Sequence, residues 1–274
     1  MKRLLHLALT LLIIFPLTVY PQSQLRYSTG AVDRYASNGC GGGDLPLTIP
    51  EANSFATWYN LGGFQSFSRW VNGDVWGSDF RDGAGNDLEP QGGSDIPDIY
   101  FYTGHGTCQN PPAAADPDFI SVCGNAGTPD RTDIKVSSRW GNSNLKFMFV
   151  DASCPMDLAS LTTNWFPPFQ GLHVAIGHSG TSTSDTLDSV TRGSQFAAYT
   201  AGLPAPLGWF FPELSVGDAW MMTGTIDIQD GCCAVVTAAG ETEADAVNRR
   251  HNERVKSRWS NPPSNWLAWM WVCE

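Results

Sequence analysis

The sequence predicts an α/β domain on a mostly parallel sheet flanked by helices. Three observations carry this: four short segments apolar at nearly every position, glycine-rich polar corners that end them, and helix-length stretches between and after them. A segment apolar on both faces fits a strand covered on both sides, whereas a half-exposed strand would alternate.

The first 24 residues read as an export signal: Lys2 and Arg3, then an apolar run from Leu4 to Val19, then Gln22-Ser23-Gln24. The run is short for a membrane span and is interrupted by His6 and Pro16, so an uncleaved anchor is the second choice. The expected location is secreted or periplasmic. Residues 25–95 form an N-terminal segment packed on the core, and 96–274 form the α/β domain. Tyr27 to Asp44 reads as irregular, and Pro50 to Leu61 as a helix with Phe55, Trp58 and Leu61 on one face. Strands are expected at Ile96–Thr103, Leu145–Val150, Leu172–Ile176 and Cys233–Ala238. Helices are expected at Leu158–Thr163, Gly193–Ala201, Ser215–Met222 and Glu241–Val255. Trp266 to Val272 is too brief to cross a bilayer and reads as a terminal strand or helix.

Removing the signal takes away two basic residues and leaves 14 basic against 27 acidic side chains, a net charge of −13. That argues against nucleic acid and anionic membrane surfaces, both of which demand a basic face. The seven cysteines of an exported chain should pair, which leaves one over. Cys154 is the expected free thiol. Cys108 with Cys123 is the most local bridge, and the adjacent Cys232 and Cys233 should seek separate partners, such as Cys273 and Cys40. A zinc site of His105, Cys108, Cys123 and His173 lacks the close paired spacings of structural zinc, so no metal and no other cofactor is expected.

Chemistry in a parallel sheet belongs beyond the carboxyl ends of the strands. One such corner offers His105 between Gly104 and Gly106, and the next offers Cys154 at the expected start of a helix, whose N-terminus would favour its thiolate. A thiol beside an imidazole ionises more readily, and the thiolate is the nucleophile. Backbone N–H groups of Gly106 and Cys154 could hold the oxyanion. Asp151, His173 and His178 read as structural.

A strand ending in His-Gly, followed 49 positions later by a strand ending in cysteine, resembles the caspase, gingipain and legumain superfamily of cysteine peptidases. The resemblance covers Ile96 to about Ala238, and the Gly217-to-Trp220 helix is similar to that of secreted bacterial relatives. It implies a caspase-like three-layer sandwich in which Cys154 attacks a peptide bond and His105 acts as acid and base. Ser153 stands where those peptidases place alanine, and Ala152 brings no charge to a specificity pocket. With gingipain-like relatives in view, Asp227 and Asp230 could receive Arg or Lys of a protein or peptide substrate. Two alternatives stand beside this one. Gly177-His178-Ser179-Gly180 begins like a nucleophile elbow, which makes Ser179 a serine-hydrolase candidate, although the fifth position is Thr181. The other is a catalytically inactive binding protein on the same fold, using aromatics such as Trp76, Trp165 and Phe166.

Overall fold

The structure is a computed structural model that describes residues 24–40, 42–80, 93–107, 119–122, 130–133, 139–159, 161–182, 186–226, 232–257 and 260–273. The expected signal segment and both specificity aspartates, Asp227 and Asp230, lie outside those residues, apart from Gln24.

The body is a seven-stranded mixed sheet. Its strands are β1 (Arg26–Ala31), β2 (Gln65–Val71), β3 (Ile99–Thr103), β7 (Phe147–Asp151), β8 (Val174–Ser179), β9 (Cys233–Gly240) and β10 (Trp266–Cys273). They run in the order β10-β9-β8-β7-β3-β1-β2. The pairs β1–β2, β1–β3, β3–β7 and β7–β8 are parallel, while β8–β9 and β9–β10 are antiparallel. A small second sheet, β4 (Gly106–Thr107), β5 (Phe119–Val122) and β6 (Asp130–Asp133), grows from the His105 corner.

The four continuous apolar segments are strands, as expected. The chain before residue 96 contributes more than a packed segment, because β1 and β2 extend the same sheet. β1 reads as polar (Arg-Tyr-Ser-Thr-Gly-Ala), yet five of its six residues are buried. The Ser28 hydroxyl accepts from the Ser68 hydroxyl of β2 at 2.7 Å. Gly30 leaves room for the Tyr100 hydroxyl, which a β-carbon there would approach to 2.4 Å.

One sheet face carries α1 (Thr48–Leu61), α3 (Leu187–Thr200), α5 (Val216–Thr223) and α6 (Glu243–Asn252), with the single-turn α4 (Leu207–Phe210) between α3 and α5 in the chain. Strand alternation sends Phe101, Phe149, Ile176 and Val236 to that face, where they meet Phe55, Phe196 and Trp220. Side-chain caps start three of these helices: Thr186 accepts from the Ser189 N–H, Ser215 from Asp218 and Thr242 from Asp245. The opposite face meets Tyr35, Trp140, Trp165 and Phe169, from irregular segments and the short α2 (Leu161–Trp165). Among the described residues, the full-length helices therefore cover one side of the sheet. No described helix is long and apolar enough to cross a membrane.

Candidate functional site

The strand register brings the two expected corners together. β3 and β7 pair with Thr103 opposite Asp151, and the Gly104 N–H reaches the Asp151 carbonyl at 3.3 Å. A β-carbon on Gly106 would stand 1.8 Å from the Ser153 carbonyl oxygen, so only glycine fits this crossing. His105 and Cys154 thus leave neighbouring strand ends on one side of the molecule.

The groups there are already engaged. Cys154 is disulfide-bonded, so the expectation that it is the unpaired thiol is overturned. A bridged sulfur has no lone thiolate pair to attack a carbonyl. Cys154 adopts a left-handed backbone with φ of 58° and is 5% exposed. Its N–H donates to the Gly180 carbonyl at 2.9 Å, which takes away one of the two expected oxyanion donors. Gly106 opens β4 and pairs with Ile120 of β5. The His105 ring packs on Tyr35, centroids 4.4 Å apart, and Nε2 lies 2.8 Å from the Gly43 carbonyl. A carbonyl only accepts, so Nε2 carries the hydrogen. The His105 N–H donates to the Tyr35 hydroxyl at 2.8 Å, and that hydroxyl meets Tyr102 at 3.1 Å.

Cys233 pairs with Cys273, while Cys232 is free and buried. The separation of the adjacent cysteines thus holds in part: one takes Cys273, and the other remains a thiol. Burial pushes the Cys232 thiol up to about 12, which leaves it neutral and unreactive at physiological pH.

Beneath the same strand ends, on the helix-covered face, lies a polar cluster that the sequence did not announce. Asp151 accepts two hydrogen bonds from Arg192 of α3, Nε to Oδ2 and Nη2 to Oδ1, each 2.8 Å. Arg192 also donates to the Ile226 carbonyl at 2.7 Å and to Ser182 at 3.3 Å. All of these side chains are buried. Although burial alone would raise it, Asp151 is held below the usual carboxylate range by the Arg192 charge and by neighbouring His178 and Glu51. Glu51 of α1 is fully buried, accepts from the Thr103 hydroxyl at 2.7 Å, and is pushed well above its ordinary value by burial and by Asp151. It therefore holds its proton more tightly than an exposed glutamate does. Gly193 makes its room, since a β-carbon there would come within 2.7 Å of Glu51.

His178 completes the cluster. Its Nε2 donates to the Gly224 carbonyl at 2.9 Å, and Nδ1 is 3.6 Å from Asp151. Burial lowers it to about 4 despite Asp151, so it is neutral at physiological pH. His178 points to the helix face and Ser179 to the other. The Ser179 hydroxyl accepts from the Leu158 N–H at 3.2 Å and is 9% exposed. Alternation therefore sends the His178 ring and the Ser179 hydroxyl to opposite faces of the sheet.

His173 precedes β8 at the far end of the sheet, where Nδ1 meets Glu253 and Nε2 meets Asn261 at 3.1 Å. It cannot share an ion with His105. Cys108 and Cys123, the other proposed zinc ligands, lie outside the described residues. Among the described residues no group of three His, Cys, Asp or Glu side chains is placed to hold a metal. Trp165 is fully buried with its indole N–H on the Pro155 carbonyl, whereas Trp76 and Phe166 are partly exposed. Arg192 had one sequence signature: it is the sole Lys or Arg between Lys146 and Arg249.

The fold and this corner define an α/β protein with a disulfide-bonded strand-end crossing above a buried ion pair. Residues 30–272 match the model of a domain of unknown function, DUF6345, and the chain belongs to that family. No curated protein matches it.

Proposed function

We propose that this is an exported binding protein on a caspase-like scaffold, whose former or would-be catalytic corner is a disulfide-fixed structural joint. One observation carries the reading: each atom that the peptidase mechanism needs at the Cys154 corner, its sulfur and its N–H, is bonded within the protein, and His105 Nε2 is turned onto Gly43. The caspase-like description is supported by the parallel β1–β3–β7–β8 core and by a His-Gly corner beside a cysteine corner. Export is supported by the basic and apolar leader and by disulfide-bonded Cys40, Cys154, Cys233 and Cys273.

A second reading has its own support. His105 and Cys154 do stand at adjoining strand ends, so reduction of the Cys154 bridge would leave a thiol near an imidazole and a reducible cysteine peptidase. Both readings are tested with a fluorogenic peptide library that includes Arg and Lys sites, with the protein untreated and after mild reduction. The binding-protein reading expects no turnover in either state. Turnover that appears on reduction and is abolished in Cys154→Ala would replace it with the peptidase.

A further inference from the structure

The two edges of the main sheet are built differently. Among the described residues the sheet ends at β2 on one side and at β10 on the other. A sheet edge presents unpaired backbone N–H and C=O groups that another strand can take up, and proteins commonly blunt it with charge, proline, a bulge or a short strand. β2 is blunted. Arg69 stands in it, bonded to Asn53, and Phe67 is bulged, because Ser66 and Ser68 face the consecutive residues Tyr27 and Ser28. β10 is not. Its sequence Trp-Leu-Ala-Trp-Met-Trp-Val-Cys holds no charge and no proline, and its register with β9 is unbroken from Trp266 to Cys273. At 8 residues the strand is about 27 Å long.

This edge is also held in place. Before it, the Asn265 N–H donates to the carbonyls of Gly240 and Pro263 at 3.2 and 2.9 Å. In its middle, Arg250 Nη1 of α6 donates to the Trp269 carbonyl at 2.5 Å, and at its end the Cys273 bridge ties it to Cys233. An incoming strand therefore meets backbone that needs little further ordering. Trp266, Trp271 and Val272 are 50, 51 and 37% exposed along it. Large apolar side chains grouped on an uncharged strand mark an interaction surface.

The complement that this strand specifies is itself. Two identical strands paired antiparallel have a two-fold axis through the sheet, and residues opposite each other then share a face. Met270 packs with the helix layer and Leu267 and Trp269 with the other face. Alternation therefore sets Trp266, Ala268, Met270 and Val272 against their equivalents on one side, and Leu267, Trp269 and Trp271 on the other. Each such contact is apolar on apolar. Each copy is strongly acidic, so self-association needs a strip free of charge, and β10 supplies one.

We infer that two copies of this chain join through β10, antiparallel about a two-fold axis, into one continuous sheet. Antiparallel pairing reverses strand direction, so the two His105 corners face opposite ways. The inference goes beyond the reading of that corner and stands whether or not the corner hydrolyses peptides. Sedimentation velocity of the full chain over a concentration series tests it, beside Trp271→Lys on β10 and Val71→Lys on β2, both at exposed positions. The expected result is a species of twice the chain mass that grows with concentration, persists in Val71→Lys and is lost in Trp271→Lys. A single-chain mass at every concentration overturns the inference, and so does a doubled species that survives Trp271→Lys. Hydrogen exchange of the native chain decides the matter without a variant: β10 amides should exchange more slowly as concentration rises while those of β2 do not change. Exchange in β10 that is independent of concentration overturns the inference.

Discussion

His178 and Glu51 titrate in opposite senses around Asp151, and this gives separable pH signatures. His178 is held at about 4 in the folded chain against an ordinary 6.5. The unfolded chain therefore binds more protons between those values, and stability falls as pH drops through that window, by about 3 kcal/mol over its whole width. In His178→Gln, which retains a donor toward Gly224, acid denaturation monitored by circular dichroism should lose most of that slope. Glu51 is raised, so the folded chain holds a proton that the unfolded chain releases, and its contribution is lost as pH rises above the ordinary glutamate range. Glu51→Gln mimics the protonated acid, so its melting temperature relative to the native chain should climb as pH rises above the ordinary glutamate range; a constant difference would contradict a raised Glu51. Arg192→Met leaves Asp151 buried and uncompensated and should cost about 3–5 kcal/mol in urea unfolding.

At the scale of elements, Gly193 and the β9–β10 bridge are the sharpest points. Gly193→Ala would place a methyl against Glu51 and force α3 away from α1, at about 1–3 kcal/mol by denaturant midpoint. The Cys233–Cys273 bridge closes 40 residues, so the paired Cys233→Ser and Cys273→Ser change should destabilise by roughly 2–4 kcal/mol. Hydrogen exchange should then rise first in β10, the edge strand. β3, β7, β8 and β9 were legible because their segments are apolar on both faces. β1 was not, because small polar residues fill it: Ser28, Thr29 and Gly30 are buried by pairing with β2 and by the Tyr100 hydroxyl above Gly30. The helices were legible in position but started earlier or later than their hydrophobic faces, since Thr186, Ser215 and Thr242 set the boundaries through caps.

For the whole molecule, the corner residues were legible because β-strand ends gather at one edge of a parallel sheet, and Gly106 against Ser153 is that gathering in atomic form. The bonding state of Cys154 was not legible, because an odd cysteine count leaves one thiol without saying which. The Asp151–Arg192–Glu51 cluster was hidden for a similar reason: its members come from β7, α3 and α1 and meet only after the layers pack. The account therefore depends on where the odd thiol lies. Mass-spectrometric mapping of the unreduced chain, alkylated with iodoacetamide first in the native state and then in denaturant, measures it directly. The account predicts little native labelling, Cys232 labelled once unfolded, and Cys154 labelled only after reduction. Ready native alkylation of Cys154 would contradict it and return the corner to a peptidase.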